Sequence, residues 1–212
     1  MSLQLNVPLT ESDEAKARGV LWDPNLKTWY LPQDQYGRLM EVDKWIPEKD
    51  TAIILSNEVT VAHAERPCWK CGHPNKVIAI GSNYFYEKDI NERDEPVWLE
   101  QGFFTLFQQI ATVSDNLQTL LRDHYPHYSK DYAKATGTSY WNNHCETCQQ
   151  VQGDWHLFDE PGSVFYPTNP ETAAHILLKT FQLKYAPRID AGYSYGDHLR
   201  LITEFAGQGS NY

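Results

Sequence analysis

The chain has 212 residues and a formal net charge of −10, with 41% apolar residues, seven tryptophans and thirteen tyrosines. That is ample material for one large domain, or for a small domain joined to a medium one. No run approaches 18 consecutive apolar residues, which excludes an apolar membrane-spanning helix, and the negative field excludes a general coat for phosphate backbones while allowing a local patch.

Leu3 to Pro8 alternates apolar and polar residues and ends on proline, so it reads as a short strand. Thr10 is placed to cap a helix whose positive end is favoured by Glu11, Asp13 and Glu14. The helix runs through Ala15, Lys16, Ala17 and Arg18, and Gly19 stands where a left-handed residue stops it. Val20–Asp23 and Lys27–Leu31 flank Pro24-Asn25-Leu26 as a hairpin. Tyr36 to Trp45 then suggests a second short helix before Pro47. Residues 1–48 therefore form a β-α-β-β-α module, with its own caps, hairpin and aromatics and none of the cysteines, and are expected to fold alone.

Leu-Asn-Val-Pro, Asp-Glu-Ala-Lys-Ala-Arg-Gly and Trp-Asp-Pro-Asn-Leu-Lys-Thr-Trp-Tyr-Leu-Pro, within residues 3–46, resemble a small domain of unknown function. That domain is found in plasmid- and phage-borne proteins, including some conjugative primases and topoisomerases. The resemblance implies proximity to DNA-processing systems and carries over no catalytic residue. Trp22 and Trp29, on adjacent strands, are suited to stacking unpaired bases; core or cross-strand packing explains them as well. Lys16, Arg18 and Lys27 are the nearby cations able to follow a phosphate backbone, or else a solvated face.

Residues 49–212 read as a zinc-binding domain with a C-terminal α/β extension. Strands are expected at Thr51–Leu55, Glu58–Ala62 and Lys76–Gly81. The four cysteines are Cys68 and Cys71 in Cys-Trp-Lys-Cys-Gly-His, and Cys145 and Cys148 in Asn-His-Cys-Glu-Thr-Cys. Each Cys-x-x-Cys turn aims two thiolates at one point, and two such turns complete a tetrahedral sulfur shell suited to structural zinc, with no open position for catalysis. The opening residues Met1–Asn6 show no secretory signal, so a reducing, cytoplasmic setting is expected and disulfides are not. His73, His144 and His156 could replace a cysteine, but their reading as turn or strand residues near the metal is preferred.

The long gap between the pairs reads as a ribbon, residues 66–158, split by a helical insertion. Phe103–Ile110 fits strand or helix, Ser114 opens a clearer helix bearing Leu117, Leu120 and Leu121, and Thr138–Trp141 and Gln152–Leu157 read as strands around the second pair. Asn142, Asn143, Gln152 and Asp154 surround that pair, either lining a polar site or hydrogen-bonding its turns and sulfurs. Residues 66–206 also resemble a group of uncharacterised bacterial and phage proteins with paired Cys-x-x-Cys knuckles, which supports zinc and supplies no activity. Further on, Pro170 opens a helix expected to carry Ala174, Leu177, Leu178 and Phe181 on one side. Ile189–Tyr193 reads as a strand, Asp197 caps a last helix, and Gln208–Tyr212 is a loose tail.

The fold class is α+β. The favoured function is a zinc-binding, non-catalytic accessory protein of a mobile element or phage, associated with single-stranded DNA or a DNA-processing protein. The alternative is an acidic adaptor or inhibitor of a basic protein. An enzyme is least favoured, because no nucleophile elbow, phosphate-cradling loop or His-Glu-x-x-His occurs.

Overall fold

A computed structural model describes residues 2–48, 50–133 and 137–209. The chain is α+β, with strand predominating. Three strands open it: β1 (Ser2–Leu5), β2 (Leu21–Asp23) and β3 (Thr28–Pro32), in the antiparallel order β1-β3-β2. Helix α1 (Ser12–Ala17) is preceded by a 3-10 turn, Leu9–Glu11, and stops as expected at Gly19, whose φ is +84°. Instead of one helix from Tyr36 to Trp45 there are three short pieces: a 3-10 turn (Gln33–Arg38), α2 (Leu39–Val42) and a 3-10 turn (Asp43–Trp45). Gly37 falls inside the stretch, and glycine costs a helix interior about 1 kcal/mol relative to alanine.

Next come β4 (Ile53–Leu55), β5 (Glu58–Pro67), β6 (Pro74–Ser82), β7 (Phe85–Ile90), β8 (Pro96–Gln101) and β9 (Thr105–Val113). Helix α3 (Asp115–His124) follows, then β10 (Tyr128–Ala133), β11 (Thr138–His144) and β12 (Val151–Gln152). The chain ends with α4 (Pro170–Ala173), β13 (Leu177–Gln182), β14 (Arg188–Tyr193), α5 (Asp197–Phe205) and β15 (Gly207–Gly209). Nine strands form one sheet in the order β15-β13-β5-β6-β9-β14-β4-β7-β8, and β10-β11-β12 form a small one.

Alternation sends Val59, Val61, Ile78 and Ile80 to one face of the large sheet, under Leu117, Leu120 and Leu121 of α3 and Tyr128 and Trp141 of the small sheet. The opposite face carries Ala62, Ala64 and Ala79, and against these small side chains pack Leu157, Phe158, Leu199 and Ile202. A third cluster crosses residue 48: Leu3, Leu31, Leu39 and Trp45 are buried together with Ile54, Tyr86 and Ala186. Polar ties reinforce this junction. Asp23 accepts from Lys184 Nζ and Tyr185 OH, each at 2.7 Å, and Ala186 N donates to Ser2 O at 2.8 Å. Lys184 and then Tyr185 hold the Asp23 carboxyl well below the usual carboxylate range.

Four sequence expectations are corrected. The segment between the cysteine pairs is no helical insertion; it supplies β6 to β9 and most of the small sheet, with α3 its one α-helix among the described residues. The helix at Pro170 ends at Ala173, and Leu177–Gln182 is a strand, with Leu178 buried in the cluster on one face and Phe181 partly buried against the cluster on the other. A strand with apolar side chains on both faces shows a spacing that mimics a helix. The strand expected over Gln152–Leu157 stops at Gln152, and a π-helical turn (Trp155–Asp159) buries the adjacent Leu157 and Phe158, which alternation forbids. The supposed loose tail is partly β15, parallel to β13; residues 210–212 lie outside the described residues.

Candidate metal centre

Both cysteine pairs sit in hairpin ends. β5 and β6 pair down to Pro67 opposite Pro74, so residues 68–73 are their turn; β11 and β12 pair at His144 opposite Val151, so residues 145–150 are theirs. The two turns repeat one hydrogen-bond pattern. In the first, Gly72 N donates to Cys68 O at 2.9 Å and Cys68 N to His73 O at 2.8 Å; in the second, Gln149 N donates to Cys145 O at 3.0 Å and Cys145 N to Gln150 O at 2.9 Å. The closing residue is left-handed in each, Gly72 at φ +72° and Gln149 at φ +58°.

The four Sγ atoms lie within 4.8 Å of one another, with Cys68–Cys148 and Cys71–Cys145 both at 3.7 Å. A disulfide needs about 2.05 Å, so these are free thiols. Tetrahedral coordination at a metal–sulfur distance of about 2.3 Å separates sulfurs by about 3.8 Å. The cluster therefore fits a metal ion on geometry and on the softness of its donors. Burial raises the Cys68 thiol, but the N–H groups of Cys71 and Lys70 and the neighbouring sulfurs outweigh it, drawing it down to about 6. Cys71 receives the His73 N–H, yet desolvation and the surrounding sulfurs push it up to about 12.

Side chains bind the two turns to each other. Trp69 Nε1 donates to Val151 O at 2.9 Å, Glu146 N to Asn75 Oδ1 at 3.0 Å, and Lys70 Nζ to Gln150 Oε1 at 3.3 Å. Asn75 and Trp69 carry no spacing signal in the sequence that would mark them. Gln152 Nε2 reaches Cys68 Sγ at 3.4 Å, the supporting role weighed for it. Asn142 Nδ2 donates instead to Tyr140 O at 2.9 Å. The histidines stand outside the sulfur cluster. His73 and His156 accept hydrogen bonds through their carbonyls, from Cys68 N and Arg66 Nη1, and the His144 ring meets Asp131 and Ser129.

Asn143 and Asp154 dock this part on the large sheet. β9 pairs with β6 only over Ile80–Ser82. Where it diverges, the Asn143 amide takes the missing strand's place, accepting from Ile78 N at 2.8 Å and donating to Ile78 O at 2.9 Å. Asp154 accepts from Gln109 N at 2.6 Å, at a left-handed residue of β9. Burial raises its carboxyl to about 6, against the Gln109 N–H, which lowers it. Because the folded pKa exceeds the unfolded value, stability is expected to fall as pH rises from about 4 to about 6. Asp154→Asn keeps an acceptor, so it should flatten that slope and add about 2–3 kcal/mol at pH 7. Urea melts from pH 4 to 7 check this; an unchanged slope refutes it.

Of the five residues proposed for nucleic acid, four line one cleft of about 580 Å³: Lys16, Trp22, Lys27 and Trp29, beside Leu5 and Val7. The two indoles meet edge to face at 5.2 Å, with Trp22 46% exposed and Trp29 packed against the core. Arg18 is elsewhere, on Glu14 at 2.6 Å and beside the Trp45 ring.

Residues 3–47 match the family described as a domain of unknown function, DUF5710. No curated protein and no solved structure matches the chain.

Proposed function

We propose that the chain is a zinc-binding, non-catalytic accessory protein of a mobile element, working in the cytoplasm and touching single-stranded nucleic acid through its N-terminal cleft. The zinc, held by Cys68, Cys71, Cys145 and Cys148, is structural: four thiolates leave no position for substrate. The observation that carries the reading is the convergence of a half-exposed tryptophan with two lysines in one cleft, on a chain whose overall charge is −10. Trp22 offers a ring face to an unpaired base, while Lys16 and Lys27 can neutralise flanking phosphates.

Fluorescence anisotropy with a labelled single-stranded oligonucleotide tests it. Binding should be weak, with a log–log salt slope of about −1.4 for two neutralised phosphates. Trp22→Ala should weaken it about tenfold, within the range for one stacked base, about 1–3 kcal/mol. The rival reading, an adaptor for a basic protein, is favoured by the acidic β7–β8 hairpin. That hairpin carries Glu87, Asp89, Glu92, Asp94, Glu95 and Glu100 against Lys88 and Arg93, and Lys88 is already paired with Asp43 at 2.6 Å. The absence of DNA binding at low salt would sink the nucleic-acid reading, and association with a basic protein that slows as salt rises would support the rival.

A further inference from the structure

A second cleft, of about 520 Å³, opens between α3, the end of β9 and the small sheet. Small-molecule sites span about 300–1,000 Å³. Its floor is apolar: Val113, Pro126, Tyr128 and Trp141, the last two stacked at 5.9 Å. Its rim is cationic. Gln118 and Arg122 are one turn apart and share a face of α3. Lys130 stands opposite Trp141 in the β10–β11 register and so on the same face of the small sheet.

The carboxylate in the lining, Glu48, is already neutralised. Arg188 Nε and Nη2 donate to it at 2.7 and 3.2 Å, with Arg188 only 4% exposed. Glu48 holds a left-handed φ of +55°, a conformation that costs a non-glycine residue about 1–3 kcal/mol. Arg188 Nη1 is buried with no hydrogen-bond partner among the described residues. The exposed Arg122–Asp123 contact, at 3.3 Å, is worth little in water. The cleft is thus a positive site on a negative chain.

We infer that it binds a small amphipathic anion, with the apolar body on Val113, Pro126, Tyr128 and Trp141 and the anionic head between Arg122 and Lys130. Neither the zinc nor the nucleic-acid reading is needed for this.

The probe is 8-anilinonaphthalene-1-sulfonate, titrated by fluorescence into the full chain. The double variant Arg122→Glu/Lys130→Glu should bind it about tenfold more weakly, the loss of charge-assisted contacts. Arg122→Lys/Lys130→Arg should retain binding. Lys16→Glu/Lys27→Glu, in the tryptophan cleft, should also leave it unchanged. Octanoate and octyl phosphate should displace the probe, separating carboxylate from phosphate preference, and octylammonium should not. Both substituted side chains are exposed, and circular dichroism checks that each variant keeps the fold; if the reversal does not, the pair Arg122→Gln/Lys130→Gln replaces it, with the same expected loss. The inference is overturned by no binding, by unchanged affinity in the charge-altered variant, by the loss appearing instead in the Lys16/Lys27 variant, or by equal competition from octylammonium.

Discussion

Cys145→Ser is expected to strip the chain of its metal, one zinc per molecule, and to abolish its cooperative thermal transition. Cys145 is fully buried and its sulfur lies 3.7 Å from that of Cys71, so the hydroxyl leaves a three-sulfur shell with no replacement ligand in the cluster. Structural zinc binds with an apparent energy of about 10–16 kcal/mol, against a net domain stability of about 5–15 kcal/mol. Elemental analysis for zinc and scanning calorimetry on wild type and variant provide the measurement. A metal-free preparation that melts like the zinc-loaded one would end the assignment.

Trp45→Ala should lower the melting temperature of the whole chain by about 10 °C. Truncating a buried tryptophan costs about 3–5 kcal/mol, and 1 kcal/mol shifts a chain of this size by about 2–4 °C. Trp45 is 2% exposed, donates from Nε1 to Glu11 at 2.7 Å, and packs in the cluster containing Ile54, Tyr86 and Ala186. Because that cluster crosses residue 48, the expected trace is a single transition displaced as one. A biphasic melt in which only one step moves would instead mean that residues 1–48 unfold as the independent module the sequence suggests.

How far the sequence could be read follows from the range of the interactions. The cysteine turns were legible because Cys-x-x-Cys is a local signal, and Gly19 because a left-handed helix stop is equally local. The residues that make the two turns one site were not. Asn75 meets Glu146, Trp69 meets Val151 and Asn143 meets Ile78, each across more than 60 residues, and no short window contains both partners. Leu177–Gln182 misled for a different reason, since a strand with apolar side chains on both faces has no distinctive period. Asp23 was visible only as part of a Trp-Asp pair; its partners, Lys184 and Tyr185, lie at the far end of the chain.

The placement of the cysteine turns makes metal capture conditional on assembly. One pair belongs to the β5–β6 hairpin and the other to the small sheet, which is seated by the Asn143 carboxamide on the β6 edge. Either pair alone offers two sulfurs, so the tight site exists only in molecules whose small sheet is docked. The apparent dissociation constant for a metal would then be the intrinsic one divided by the docked fraction. Metal occupancy of the proposed site would therefore act as a gauge of tertiary closure: a change at Asn143, which is not one of the four sulfur ligands, should register as weaker metal affinity with all four ligands intact.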